Sequence, residues 1–175
     1  MYLDPGLSHL ALVARYAQHC EAEHAARLRE LCAQPAHDPD RVLTSDLSRY
    51  LAEGGITPLI DVATGIARRG RSGRAKSSAY YAEARQYTTS NPGAPIRRAY
   101  AQVWGTLARL RKLHRCTAAF LVVFRRAGRL VELPPVIDFD ELRLYSAVVN
   151  LSLSPDGDDR ADAIRFSEAN LRPLL

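Results

Sequence analysis

The residues of this sequence that could do chemistry are mainly arginines, and most of them lie in one segment. Residues 65–129 contain fifteen Lys and Arg side chains and a single acid, Glu83. Residues 1–64 have a net charge of −4, and residues 130–175 have a net charge of −5. The planar guanidinium group of arginine binds phosphate through two parallel hydrogen bonds and stacks on bases. This clustering therefore predicts a binding site for a polyanion, most simply a nucleic acid.

The predicted site begins with a short basic loop. Residues 70–78 contain two glycines and three cations but no large apolar side chain. Such a loop commonly becomes ordered on phosphate, because its backbone amides are free and its glycines allow a close approach. Tyrosines then alternate with basic residues, which is typical of proteins that stack single-stranded bases on aromatic rings. The predicted contacts to nucleic acid are Arg68, Arg69, Arg71, Arg74, Lys76, Tyr80, Arg85, Arg97, Arg98, Arg109, Arg111, Lys112 and Arg115.

Two other interpretations of the charge stay open. The acidic blocks on either side could neutralise the central segment within the fold, since charge runs are usually solvated faces. Alternatively, the segment binds an acidic protein, which would make the chain a protein–protein adaptor.

One pair of residues has the spacing of metal ligands. Cys20 and His24 are four residues apart, which places them on one face of a helix as half of a metal site. No second Cys or His pair at ligand spacing follows, so we predict no metal site. The sequence contains no Walker-type phosphate loop, nucleophile elbow or His-Glu-x-x-His motif. We therefore expect a noncatalytic protein that needs no cofactor.

The cysteines and the apolar runs indicate in which cellular compartment the protein is expected. Cys20, Cys32 and Cys116 are odd in number and widely spaced, which argues against a disulfide framework and favours a reducing compartment. Residues 1–6 contain no basic region followed by an apolar stretch. The longest apolar run, Ala118–Phe124, is too short to span a bilayer. These features predict a cytoplasmic protein that does not contact a membrane.

The spacing of apolar residues predicts a fold that is all-α or mainly α, a bundle of about six helices. Residues 118–124 are apolar on all sides, which favours a continued helix and leaves a short β-hairpin near 118–133 as the alternative. A turn at Asn91-Pro92-Gly93 separates an N-terminal helical half, 1–90, from a C-terminal helical half, 95–175, within one compact domain. Pro95 opens one helix, a short helix closes the chain, and the other predicted helices cover 7–33, 44–53, 57–69, 78–88 and 138–150.

One spacing on the helix that Pro95 opens resembles a catalytic motif. Arg109 and His114 are separated by four residues, which resembles the Arg-x-x-x-x-His motif of the helical HEPN ribonucleases. The resemblance implies that Arg109 positions the scissile phosphate and that His114 acts as acid and base across a dimer interface. Leu110 stands where the family usually has a polar residue. A HEPN-like ribonuclease is therefore the enzymatic alternative.

A second resemblance covers more of the chain. An acidic first part, the stretch 51–57 and the Arg-rich helices resemble the small helical subunits that line the belly of CRISPR ribonucleoprotein complexes. Members of that family are not enzymes, and their copies stack along the crRNA backbone with basic faces towards the target or displaced strand. The resemblance implies phosphate contacts by Arg68, Arg69, Arg71, Arg74, Lys76, Arg97 and Arg98.

Charge pattern and resemblance together predict a noncatalytic nucleic-acid-binding subunit of a larger ribonucleoprotein assembly in antiviral defence. The expected partners are RNA or single-stranded DNA and other protein subunits. Those subunits include copies of the chain itself if the acidic flanks meet the basic middle of a neighbour. Trp104, at the edge of the apolar stripe, is expected in the core or at a protein contact.

Overall fold

A mixed β-sheet with helices on both faces organises the chain. The structure, a computed structural model, describes residues 11, 14–53, 60–61, 66–67, 80–114, 118–152 and 162–174. The helices are α1 (residues 14–19, the π-helical turn Cys20–His24 and Ala25–Ala33), α2 (Pro39–Glu53), α3 (Gly93–His114) and α4 (Glu168–Leu171), which a 3-10 turn (Arg172–Leu174) follows. The strands are β1 (Ile60–Asp61), β2 (Ile66–Ala67), β3 (Tyr80–Tyr87), β4 (Ala118–Arg125), β5 (Val131–Glu132), β6 (Val136–Phe139), β7 (Leu142–Asn150) and β8 (Ile164–Arg165).

Six strands form one sheet in the order β2-β1-β3-β4-β7-β6. The strands β1, β3, β4 and β7 are parallel, whereas β2 and β6 run antiparallel to their neighbours. The register is continuous across the centre, where Ala119 lies between Tyr81 and Leu144. The strands β5 and β8 form a separate parallel pair. Because parallel neighbours need a long crossover, α3 connects β3 to β4 across one face of the sheet.

Two apolar clusters, one on each face of the sheet, form the core. The face towards α1 and α2 contains Phe120, Val122 and Phe124 of β4, and the face towards α3 contains Ala119, Leu121 and Val123. All six of these side chains are buried. The strand β4 is therefore apolar at every position from 118 to 124, as expected for a parallel strand covered on both faces.

The helix α2 lies along the edge of β3 opposite β4, where β1, among the described strands, pairs at Tyr81 alone. The hydroxyl of Thr44 accepts a hydrogen bond from the Ala84 amide at 3.0 Å and donates one to the Ala84 carbonyl at 3.2 Å. One turn earlier in α2, the Asp40 carboxylate accepts a hydrogen bond from the backbone N–H of Gln86 at 2.9 Å. The four residues from Asp40 to Thr44 rise about 6 Å along the helix, and the two residues from Ala84 to Gln86 span about 6.6 Å along the strand. The side chains of α2 therefore have the same spacing as the backbone groups of β3 that they bind. Side chains of α2 thus form hydrogen bonds with the backbone of Ala84 and Gln86, as a neighbouring strand would.

The prediction of a helical bundle is wrong, because the fold is α/β with a central mixed sheet. Residues 118–125 are a central parallel strand and neither continue α3 nor form the alternative hairpin near 118–133. Residues 80–87 are a strand, whereas the sequence predicted a helix over 78–88. In both segments the burial comes from distant elements. Residues 118–124 are in addition a short apolar run, which has the same appearance in a buried strand and in a buried helix.

Three other predicted elements also differ. Residues 138–150, expected to be helical, belong to the hairpin of β6 and β7, whose turn is Asp140 and Glu141. Asp140 has φ 52°, a left-handed conformation that Asp tolerates in turns. Residues 60–61 and 66–67, expected in a helix over 57–69, are strands. The helix α2 begins at Pro39, which takes the first helical position where its missing N–H is harmless, so the helix starts five residues before the expected cap at Thr44.

Other predictions are confirmed. The helix that follows the Asn91-Pro92-Gly93 turn is α3, and its apolar stripe is buried. Trp104 is 5% exposed and packs edge-on against Phe139 at 5.7 Å between ring centroids. By contrast, neither predicted helical half, 1–90 or 95–175, is helical throughout, because each contributes strands to the same sheet. Among the helices that the structure describes, none has the length and apolarity needed to cross a membrane.

The bonds between α2 and β3 predict the effect of changing Thr44, which is 3% exposed. Thr44→Val keeps the shape but leaves the Ala84 amide and carbonyl buried without partners, so the free energy of unfolding should fall by about 2–4 kcal/mol. Thr44→Ser retains the hydroxyl and should lose less, and Thr106→Val on the outer side of α3 should change little. Urea unfolding followed by circular dichroism measures the difference. Equal stability of Thr44→Val and Thr44→Ser would contradict the role of the hydroxyl.

Candidate nucleic-acid interface

The outward face of α3 is the most cationic described surface in the central segment. The helix contains five cations and no Asp or Glu. Arg97, Arg98, Arg109 and Lys112 are exposed, because the periodicity that turns the apolar stripe to the sheet turns these positions to solvent. The helix therefore presents charge of a single sign along its outer face.

These four cations have few partners in the described part of the chain. Arg97, Arg98 and Lys112 make no ion pair or side-chain hydrogen bond there, and Arg109 contacts the Thr106 hydroxyl at 3.4 Å. Arg111 differs, since it pairs with Glu141 at 2.6 Å. Among the described residues, the acidic block 130–175 thus neutralises one cation of α3 and pairs with none of the other four.

The cations form two groups at the ends of the exposed face. Arg98 and Arg109 are eleven residues apart, which corresponds to about 16 Å along the helix axis. Ala101, Gln102 and Gly105 are the exposed residues between them, and a Cβ atom added at Gly105 would meet nothing within 4 Å. Ala101 and Gly105 are small, so the surface of the helix between the two cationic groups is open to a close approach.

The buried face of α3 holds the helix in place. Tyr100 is fully buried, and its hydroxyl lies 2.7 Å from the Ser146 hydroxyl, which donates to the Pro134 carbonyl at 2.6 Å. Burial raises the pKa of Tyr100 to about 12. The outer cations therefore project from a helix that both an apolar stripe and a buried hydrogen-bond chain anchor to the sheet.

Arg85, another predicted contact, lies away from this face in an internal ion-pair cluster. Its guanidinium contacts the carboxylate of Glu83 and lies 3.2 Å from the carboxylate of Asp40. Glu83 is only 3% exposed, and the Arg85 side chain is 32% exposed. We call these three residues the Glu83 cluster. Because two carboxylates neutralise Arg85, this side chain is a poor phosphate contact.

The structure brings together four of the thirteen predicted contacts. Arg97, Arg98, Arg109 and Lys112 share the outer face of α3, whereas Arg111 and Arg85 pair with acids. Tyr80 is the first residue of β3. The side chain of His114, the last residue of α3, lies outside the described part. Arg68, Arg69, Arg71, Arg74, Lys76 and Arg115 also lie outside the described residues.

Sequence reasoning missed Glu83 and Asp40. A signal was present for Glu83, because it is the only acid among fifteen cations in residues 65–129. No local pattern indicated Asp40, which meets Arg85 across 45 residues of chain.

The burial of Cys20 and the partner of His24 both disfavour the use of this pair as half of a metal site. Cys20 is fully buried, and burial raises the pKa of its thiol to about 12, which opposes formation of the thiolate that binds metal. His24 instead lies 3.2 Å from Asp46. No group of three or more His, Cys, Asp or Glu side chains suited to a metal ion occurs among the described residues.

Comparisons of the chain with protein families, with curated proteins and with solved structures found no match. The geometry and the charge of the described residues are therefore the evidence for its function.

The raised pKa of Tyr100 predicts how the protein loses stability in alkali. A tyrosine with a pKa near 10 when unfolded and about 12 when folded stabilises the fold fully below pH 10. That contribution is lost as the pH rises from 10 to 12, with a slope of up to about 1.4 kcal/mol per pH unit. Tyr87, whose pKa burial also raises to about 12, adds to the slope in the same direction.

Urea unfolding of wild type and Tyr100→Phe between pH 8 and 11.5 tests this dependence. The variant should lose less stability above pH 10, although it should be less stable than wild type at pH 8 because the bond to Ser146 is gone. Parallel curves for the two proteins would contradict the prediction.

Proposed function

We propose that the protein binds nucleic acid through the outer face of α3 and contacts the phosphate backbone without reading its sequence. One observation carries this proposal: Arg97, Arg98, Arg109 and Lys112 are exposed on a helix without a single acid, and no carboxylate of the described residues pairs with them. Phosphates are the natural counter-ions for such a row, and arginine binds them bidentately.

The anchoring of α3 supports the same function. Because Tyr100 and the apolar stripe fix the backbone of the helix, the positions of its cations along the helix are set before the ligand arrives, and only their side chains must become ordered. The gap at Ala101 and Gly105 leaves room for the backbone of the ligand. The predicted basic residues between 68 and 76 precede β3 in the chain and would add further phosphate contacts.

In this proposal the protein is a noncatalytic subunit of a larger ribonucleoprotein assembly in a reducing, cytoplasmic compartment. The free, buried thiols of Cys20 and Cys32 suit such a compartment. Membership in an assembly stays a prediction, which the mass of the purified complex and its nucleic-acid content test directly.

Fluorescence anisotropy tests the proposed interface. Labelled single-stranded RNA, single-stranded DNA and duplex DNA should each bind at low salt, with a strong loss of affinity towards physiological salt. Arg97→Gln/Arg98→Gln should weaken binding at least tenfold and should lower the slope of log K against log salt by roughly 0.7–0.9 per lost phosphate contact.

The matched control is Arg165→Gln/Arg172→Gln, which removes the same charge from exposed sites outside α3. Both control side chains pair with acids, Arg165 with Glu132 and Arg172 with Glu168. Equal weakening by the two double variants would show that net charge alone drives binding. Absence of binding at low salt would overturn the proposal, and a tight acidic protein partner would then favour the adaptor.

Incubation of labelled RNA with wild type and with His114→Ala tests the enzymatic alternative, the HEPN-like ribonuclease. Loss of cleavage in His114→Ala with binding retained would favour that alternative. Intact substrate with both proteins would leave binding as the function.

A further inference from the structure

The exposed cations of α3 form two pairs with a neutral surface between them. The N-terminal pair is Arg97 and Arg98, and the C-terminal pair is Arg109 and Lys112. Residues 99–108 contain no charged side chain. Eleven residues make about three helical turns, so Arg98 and Arg109 leave the helix in nearly the same direction at sites about 16 Å apart along its axis. The two pairs therefore face one ligand from the two ends of α3.

Packing does not require the gap in charge between the pairs. Ala101 and Gly105 are exposed, and a Cβ atom added at Gly105 would meet nothing within 4 Å. A lysine or an arginine would fit there, and the row of cations would then be continuous. The separation into two pairs is thus a feature of the binding surface itself.

The outer face of α3 lacks the features that bind a single strand. Such sites combine positive charge that follows the backbone continuously with aromatic rings on which the bases stack. Tyr100 and Trp104 are the Tyr and Trp residues of α3, which contains no Phe, and both are buried. The exposed face of this helix therefore has neither a continuous row of charge nor one of these rings for a base.

A double helix matches the two pairs better, because it presents two rows of phosphates on either side of a groove. The major groove of B-DNA is about 12 Å wide, and the minor groove is about 6 Å wide. Two cationic pairs about 16 Å apart reach both edges of the major groove and are too far apart for the minor groove. The neutral surface between them then faces the groove, where it meets no phosphate.

We propose that α3 lies across the major groove of duplex DNA, with the N-terminal pair on the phosphates of one strand and the C-terminal pair on those of the other. This inference rests on the proposed function and specifies its ligand. Duplex RNA is a poorer match. Its wide groove is the minor groove, whose 2′-hydroxyl groups proteins recognise by hydrogen bonds, and the neutral surface has Gln102 as its exposed polar side chain.

Fluorescence anisotropy with a DNA duplex about two helical turns long, and with each of its strands alone, tests the choice of ligand. At near-physiological salt the full chain should bind the duplex at least about tenfold more tightly than either strand. Arg97→Gln/Arg98→Gln and Arg109→Gln/Lys112→Gln should each weaken duplex binding at least about tenfold, because each removes the contacts to one strand. The control Arg165→Gln/Arg172→Gln should change duplex affinity less than twofold.

A variant that moves the C-terminal pair to the middle of α3 tests the spacing at constant net charge. All four changed positions are exposed, and the substitutions are Arg109→Gln, Lys112→Gln, Ala101→Lys and Gly105→Lys. The cations of this variant form one continuous group, so its duplex affinity should fall at least about fivefold while its affinity for the single strands does not fall. Circular dichroism confirms that the variant is folded. Wild-type affinity of this variant for the duplex would overturn the proposal.

The failure of this inference and the failure of the proposed function give different results. Absence of binding to any nucleic acid at low salt would overturn both. Single strands that bind as tightly as the duplex, with binding still weakened by Arg97→Gln/Arg98→Gln, would overturn the inference and leave the proposed function in place. Equally tight binding of duplex RNA of the same sequence would also overturn the assignment to DNA.

Discussion

The reciprocal hydrogen bonds between Thr44 and Ala84 attach α2 to the central sheet. Through them α2 takes the place of a strand along β3, so the polar backbone at that edge is satisfied without further sheet. The same docking positions α1, which packs with α2 on one face of the sheet. It also places Asp40 beside Arg85, which completes the Glu83 cluster. The position of α1 and the Glu83 cluster thus both depend on the contact between α2 and β3.

Topology also divides the cations of the central segment into two groups. Arg85 meets Asp40 from the acidic block before it, and Arg111 meets Glu141 from the acidic block after it. The acidic flanks therefore do neutralise part of the basic segment, as one interpretation of the sequence expected. The outer face of α3 points away from the sheet, and no carboxylate of the described residues pairs with its exposed cations. What remains there is a row of cations on a rigid helix, which is the basis of the proposed function.

The sequence predicted α3 well and the sheet poorly, for one physical reason. An amphipathic helix on a surface has a 3.6-residue period that any window of the chain reveals, and Ile96, Tyr100 and Val103 follow it. A parallel strand buried on both faces has no period, and β4 is apolar at every position from 118 to 124. The helix α3 separates β4 from β3 in the chain, and β5 and β6 separate β4 from β7. No tight turn between paired strands therefore indicates these pairings in the sequence. Apolar runs that were compatible with helix therefore became the centre of the sheet.

The sequence by itself determined the amphipathic character of α3, the burial of Trp104 and the concentration of positive charge in residues 65–129. These properties follow from residue type and local spacing, which do not depend on how distant segments meet. Only the tertiary structure decided which cations are neutralised, because the Asp40–Arg85 and Arg111–Glu141 pairs join residues 45 and 30 positions apart. The strength of a Coulomb interaction depends on the distance between the two charges in space, and the number of residues between them in the sequence does not give that distance.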